Sequence, residues 1–208
     1  MYQSLTRDTL PNAVAKLCEQ DSLMHRLVQT YGTPPLWQRT QSFETLVHII
    51  LEQKVSLASA MAVMQRVKKL CPDMSPAMFL NVSESELRSA GMSARKVSYC
   101  NSIASALVSG ELNLSKLRGS TDETIIEQLT AIRGIGPWTA GVYLLLSIRR
   151  VDAWASGDRA LVVSYAESTD LESIPSYAEF DEIAGRWQPL RGVAARVLWH
   201  AYLSRREK

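Results

Sequence analysis

Nowhere in the 208 residues do β-branched and polar residues alternate over the length of a strand, whereas apolar residues return again and again at every third or fourth position. That period lines one face of a helix, so the chain reads as all-α. Phe43, Leu46, Val47, Ile50 and Leu51 follow Ser42, whose hydroxyl suits an N-cap, and Leu57 to Leu70 forms a second amphipathic run closed by Cys71-Pro72. Ser83-Glu84-Ser85-Glu86 and Ser176-Tyr177-Ala178-Glu179 have the capping-box form, and Gly91 closes the helix that the first begins. Ser93 heads a helix that carries Val97, Cys100, Ile103, Ala104 and Leu107 and stops at Gly110. Thr121 caps a run over 122–132, and Pro137 stands at the first position of an apolar helix reaching Ile148, the place where a helix best tolerates proline. Pro189 opens a last helix to about Arg205. Thr33-Pro34-Pro35 is the clearest linker, and residues 149–157 form a polar loop.

A chain of this length buries most of the surface that its unfolded form exposes and needs no covalent staple. Its three cysteines, Cys18, Cys71 and Cys100, have no spacing that suggests a disulfide framework or a metal site, which points to a reducing compartment. No cysteine falls in the last hundred residues, so an iron–sulfur cluster held by four local thiolates is excluded there. The first residues lack the apolar core of a signal peptide, and the longest apolar stretch, around Val142 to Ile148, is far too short to span a bilayer. The expectation is a soluble intracellular protein without membrane contact. A net charge of +2 permits nucleic-acid binding without arguing for it. The basic clusters Arg66/Lys68/Lys69, Arg95/Lys96, Arg149/Arg150 and Arg205/Arg206/Lys208 read first as solvated helix ends.

Between two apolar helices lies Ile132-Arg133-Gly134-Ile135-Gly136-Pro137. Glycines two apart let the backbone turn sharply and another group come close. The second precedes a helix N-terminus, where unsatisfied N–H groups and the helix dipole favour an anion. The N–H groups of Gly134 and Gly136 could thus hold a phosphate without any basic side chain. Taken alone, however, Gly-x-Gly between helices is more often only a tight turn.

Four further motifs in order, across about residues 34–203, give the turn more meaning. The segment Leu129-Thr-Ala-Ile-Arg-Gly-Ile-Gly-Pro-Trp-Thr-Ala140 resembles the helix-hairpin-helix of the base-excision DNA glycosylase superfamily. Val151-Asp-Ala-Trp-Ala-Ser-Gly-Asp158 ends 22 residues after Gly136 and resembles the loop that closes on that family's catalytic aspartate. Ser42-Phe-Glu-Thr-Leu-Val-His-Ile-Ile-Leu-Glu-Gln-Lys-Val-Ser56, Trp187-Gln-Pro-Leu-Arg191 and Leu198-Trp-His-Ala-Tyr202 resemble its other conserved stretches. The likeness is strongest to the 3-methyladenine glycosylase II branch. The chain departs from the family pattern at Arg133 and Ser156, where proline is usual, at Lys54, where a second glutamine is usual, and at Arg159, where the residue is usually apolar.

The resemblance implies two helical lobes with a cleft between them. An N-terminal segment (1–40) would pack with the C-terminal lobe; residues 41–157 would form the lobe that holds the hairpin (about 122–148); and residues 158–208 would complete the second lobe. It also implies association with double-stranded DNA that contains damaged bases; a single pair of lobes working on DNA needs no second copy, so a monomer is expected. Asp158 is the expected catalytic carboxylate: breaking an N-glycosidic bond builds positive charge on the sugar, which a carboxylate near C1′ stabilises, and the same group can orient or deprotonate water. The residues after Asp158 read as a helix start, so the plain alternative is an N-cap, and both roles can hold. Asp152 is the second carboxylate of the loop, expected to shape it. Bifunctional relatives carry a Schiff-base lysine directly after the hairpin proline, whereas this chain has Trp138, which implies hydrolysis by water and an abasic product.

Further roles come by resemblance alone. Gly134, Gly136 and Thr139 would meet the DNA backbone. Trp199, Tyr143 and Trp37 would line the pocket for a flipped, electron-poor base, core packing being the alternative for each. Gln53 and Lys54 would fill the gap in the duplex, although Gln53 could equally be a buried amide bonded to a helix end. The carbonyls of Thr130, Ile132 and Ile135 would hold a structural Na⁺ or K⁺, with no other cofactor. The expected activity is release of alkylated purines of the 3-methyladenine and 7-methylguanine type. The alternatives are the same fold acting on another damaged base, or a helix-hairpin-helix module that binds DNA without catalysis.

Overall fold

The computed structural model describes residues 4–169 and 171–206, so Lys208 of the last basic cluster lies outside the described residues. Thirteen α-helices follow one another among them, with no strand and one isolated antiparallel bridge between Ser4 and Arg150. They are α1 (Leu10–Gln20), α2 (Ser22–Tyr31), α3 (Phe43–Glu52), α4 (Leu57–Leu70), α5 (Pro76–Asn81), α6 (Glu84–Ser89) and α7 (Ala94–Ser109). The order continues with α8 (Leu114–Leu117), α9 (Asp122–Thr130), α10 (Pro137–Tyr143), α11 (Arg159–Ser168), α12 (Tyr177–Ala184) and α13 (Arg191–Arg206). None of these helices is long and apolar enough to cross a membrane.

The caps explain the boundaries. Ser42, Ser56, Ser75, Ser83, Ser93, Thr121 and Ser176 each accept a hydrogen bond from a backbone N–H in the first turn of the helix that follows. Each such bond is worth about 1 kcal/mol. Ser83 and Ser176 complete full capping boxes with Glu86 and Glu179. The run expected to continue helically from Pro137 to Ile148 changes character part-way: the α-helix ends at Tyr143 and Leu144–Ile148 form a π-helical turn. The wider turn alters which carbonyls bond within the helix; the Leu144 carbonyl accepts from Arg150 N–H, and that of Leu145 from a side chain described below.

The chain divides into two compact units. One comprises residues 39–143, with α3 through α10; the other joins residues 1–38 to 144–208. The division therefore falls at Tyr143 and Leu144, where the sequence reading placed it after residue 157. Residues 149–157 are tied to the start of α13 and so belong with the second of these units.

In the unit of residues 39–143, α3 is buried almost all round. Leu46, Val47, Ile49 and Ile50 have no exposed surface, and α4, α7 and α10 pack on the helix. Each such side chain contributes about 1.5–3 kcal/mol on burial. In the other unit α13 is the central helix, against which α1, α2 and α11 pack. Its Gly192, Ala194, Ala195 and Ala201 are buried small residues that let neighbours approach. Trp187, fully buried, donates from Nε1 to Asp21 at 2.9 Å, and Asp21 also caps α2 by accepting from Met24 N–H. None of the four basic clusters is merely solvated: Arg66 Nε donates to the Ala90 carbonyl and Lys96 Nζ to the Leu51 carbonyl. Arg150 is buried and Arg149 Nε donates to the Leu5 carbonyl, while Arg205 and Arg206 both pair with Glu167.

Candidate functional site

The hairpin joins α9 to α10. Ile132 N–H donates to the Leu129 carbonyl and Ile135 N–H to the Ile132 carbonyl, which turns the chain within four residues. Its two glycines serve different ends. Gly134 has φ +99°, a conformation that L side chains rarely adopt, and a Cβ there would lie 2.3 Å from Cγ of Tyr99, a residue of α7. Gly136 is not at positive φ, and a Cβ there would meet nothing within 4 Å. Its carbonyl accepts from Ala140 N–H, so it stands as the cap of α10 with Pro137 next in line. Gly134 is thus required by the fold itself, and Gly136 leaves open space at the mouth of the turn.

Gln53, the C-cap of α3, crosses to the hairpin. Its Nε2 donates to the Gly134 carbonyl at 3.2 Å and to Thr139 Oγ1 at 3.0 Å. This half-buried amide matches the plain alternative to a place in the duplex. Gln53 spends its amide donors on the hairpin rather than standing ready to enter a duplex, and the Thr139 side chain, 1 % exposed, faces inward. Lys54 is different: it sits at φ +59°, exposed, in the short bend between α3 and α4. Tyr143 has no exposed surface, so it offers no ring face to a base and packs as core. Thr130 ends α9, and its hydroxyl donates back to the Ile126 carbonyl. Carbonyls at a helix end lack partners of their own helix, and the Ile132 carbonyl has a second lone pair beside the one bonded to Ile135. Thr130, Ile132 and Ile135 thus have the donor chemistry that a monovalent cation requires.

The second cluster lies in the other unit. Asp158, 8 % exposed, caps α11: its Oδ1 accepts from Leu161 N–H at 3.0 Å and from Trp199 Nε1 at 3.1 Å. One oxygen receiving two donors fixes the plane of the carboxylate. Trp199 comes from α13, and its ring lies edge-on to that of Trp37, with centroids 6.5 Å apart. Trp37 also meets His200 edge-on at 6.1 Å and adopts φ +41°. Asp158, Trp199 and Trp37, far apart in sequence, are therefore brought together.

The loop before Asp158 is braced along its length. Asp152 accepts from the backbone N–H of Arg191 at 2.9 Å and forms a two-toothed ion pair with its guanidinium, at 3.1 and 2.7 Å. That fits the loop-shaping role expected of it. Asp181 of α12 receives Trp154 Nε1 at 2.7 Å on one oxygen and the Ser156 hydroxyl on the other. A Cβ on Gly192 would meet the carbonyls of Arg150 and Val151 at 2.6 and 2.9 Å, so the loop lies directly on the start of α13. Ser156, in the place of the usual proline, thus stiffens the loop by a hydrogen bond instead of a ring. Asp181 and Tyr99 carried no sequence signal, since neither lies in a motif; Arg191 lay in a quoted motif without an assigned partner.

Residues 47–183 match the family described as HhH-GPD superfamily base excision DNA repair protein. DNA-3-methyladenine glycosylase 1 of Schizosaccharomyces pombe is 28% identical over 178 residues, which cover 84% of this chain and 78% of that protein. A structure of 3-methyladenine DNA glycosylase from the same yeast, in complex with abasic DNA, is similar with a TM-score of 0.85. It shows 28% identity and covers 90% of this chain and 95% of that one. A DNA-3-methyladenine glycosidase structure from Bacillus halodurans gives a TM-score of 0.79 and 30% identity over 100% of this chain and 95% of the other.

The two glycines give a test by contrast. Gly134→Ala should lower stability by about 2–4 kcal/mol, from overpacking against Tyr99 and from the left-handed backbone. Gly136→Ala should leave the melting temperature within about 2 °C of the parent, since surface changes without a clash stay near 0.5 kcal/mol. Thermal melting of the two variants decides it, and equal losses would sink the distinction.

Proposed function

Because the chain belongs to the HhH-GPD superfamily of base excision DNA repair proteins, we propose that it is a monofunctional DNA glycosylase of the 3-methyladenine glycosylase II type, which releases alkylated purines and leaves an abasic site. The observation that carries this reading is Asp158, a nearly buried carboxylate held on one oxygen by Leu161 N–H and Trp199 Nε1 and set beside an aromatic pair. The names of the similar proteins support the choice of substrate, and Trp138 after Pro137 supports the absence of a lyase step.

The reaction follows from those groups. The target atom is hidden in the base stack, so the nucleotide must be turned out of the duplex. An alkylated purine is cationic and electron-poor; it stacks on the ring face of Trp199 while Trp37, set at 75° to that ring, walls its side, and its charge makes it a good leaving group. As the bond from C1′ to the purine nitrogen breaks, both electrons leave with the base and the sugar gains oxocarbenium character. Asp158 stabilises that positive charge and takes a proton from the attacking water, whose oxygen ends on C1′. A fixed carboxylate costs no reorganisation at that moment, and the bonds from Leu161 N–H and Trp199 Nε1 help to fix it. The hairpin meets the phosphate backbone through the N–H groups of its turn, with Gly136 providing the open approach. A Na⁺ or K⁺ held by the carbonyls of Thr130, Ile132 and Ile135 would add positive charge beside that phosphate. With Gln53 committed to the hairpin, Lys54 is the residue left to enter the gap.

A panel of duplexes, each with a single lesion, tests the substrate class. Release of 3-methyladenine and 7-methylguanine is expected, and no release of either would remove the alkylpurine assignment. Asp158→Asn should reduce base release by about a hundred- to a thousandfold, the scale of losing a group that stabilises charge in the transition state. Binding to undamaged duplex should survive in the same variant. Activity near that of the parent would show that Asp158 is a cap and nothing more. The reaction product should resist nicking until heated in alkali, and a protein–DNA adduct trapped by borohydride would overturn the monofunctional assignment.

A further inference from the structure

Arg196, in the middle of α13, has no exposed surface, and no carboxylate among the described residues pairs with it. Its Nη1 donates to the Leu36 carbonyl at 2.6 Å, its Nη2 donates to the Leu145 carbonyl, and its buried Nε has no acceptor. Burial first, and then the neighbouring positive charge of Arg149, pull its pKa down to about 10, so it stays charged at neutral pH. A desolvated guanidinium with one idle N–H is a costly way to fill a core, and an apolar side chain of similar volume would avoid that cost. What the arginine alone supplies is a pair of charge-assisted donors aimed at two carbonyls from distant parts of the chain.

Those carbonyls are informative. Leu145 lies in the π-helical turn, and its carbonyl is taken by Arg196. Leu36 immediately precedes Trp37, whose left-handed backbone costs free energy that a residue other than glycine recovers only if its surroundings hold it. The ring that this conformation presents is the one edge-on to Trp199 and His200. His200 is itself held, with Nε2 2.8 Å from the Tyr31 carbonyl, and Trp199 is held by Asp158. Of this group, Trp37 stands on a strained backbone, and Arg196 grips the peptide before it.

We propose that Arg196 is a positioning residue for base recognition: by fixing the Leu36 carbonyl it locks Trp37 in the left-handed conformation that sets its ring against Trp199. In this way it shapes the aromatic wall on which an electron-poor flipped base stacks. The step rests on the glycosylase reading above, but the placement of Trp37 can be measured without it.

The full-length protein, labelled with 5-fluorotryptophan, should give fluorine lines for its five tryptophans, with the Trp37 line assigned through Trp37→Phe. In Arg196→Met the Trp37 line should shift or broaden, with a smaller change at Trp199, while the lines of Trp154 and Trp187, anchored to Asp181 and Asp21, stay in place. Arg196→Lys, which keeps the charge and can reach one carbonyl, should restore part of the change. An unmoved Trp37 line in Arg196→Met overturns the proposal.

The kinetic arm uses single-turnover release from a duplex carrying one 7-methylguanine. The half-saturating concentration of Arg196→Met should rise up to about tenfold, the upper value of an aromatic contact, with the limiting rate within about twofold. Trp37→Ala should show the same rise, and the double variant no more than either single one. Effects that multiply in the double variant would mean that the two residues act independently, which also overturns it. If Arg196→Met does not fold, Arg196→Lys takes its place in the cycle. If the parent protein releases no base, the glycosylase reading fails while the fluorine lines still decide the role of Arg196.

Discussion

A single oxygen, Oδ1 of Asp158, receives both the N–H of Leu161 and the indole N–H of Trp199, and much of the unit around α13 is arranged about that junction. The first bond begins α11; the second ties the start of α11 to the C-terminal half of α13. The side chain that caps the helix is therefore also the one whose position is most tightly specified. A capping aspartate contributes about 1 kcal/mol and needs only one bond for it. The second bond, from a tryptophan whose ring also meets Trp37, goes beyond what helix termination demands.

The approach to that carboxylate shows how a loop can be made rigid without regular structure. Between Arg150 and Asp158 the chain is fastened at Asp152 by Arg191, at Trp154 and Ser156 by Asp181, and from below by the missing side chain of Gly192. Loops commonly carry catalytic groups because a rigid scaffold can present them at the surface. Here the scaffold reaches into the loop at three points, so the position of Asp158 is set from both sides.

The hairpin follows a different rule. Gly134 belongs to the packing of its own unit, with Tyr99 against one side of the turn and the Gln53 amide on its carbonyl, whereas Gly136 faces open space. A pattern of two equivalent glycines thus resolves into one that builds the turn and one that leaves room beside it. Gln53, half-buried, takes part in the construction of the turn. A side chain that donates to Gly134 and Thr139 together has no amide hydrogen left to offer.

The sequence by itself determined the helical class, most helix starts and the hairpin. Each depends on local chemistry: the period of apolar residues, a Ser or Thr ahead of an amphipathic run, a proline at a first turn. It also determined Asp158 and the absence of a lysine after Pro137, since these are matters of identity and spacing. Tertiary structure alone decided which of the aromatic residues meet. Tyr143 turns into the core while Trp37 and Trp199 meet edge to face, because the face a residue shows depends on partners that lie far away in sequence. It likewise decided that Asp181 braces the loop, that Tyr99 makes Gly134 obligatory, that Arg196 grips the peptide before Trp37, and that the π-helical turn interrupts a run reading as continuous helix. None of these has a local signature, because each is a contact between surfaces that the chain brings together only on folding.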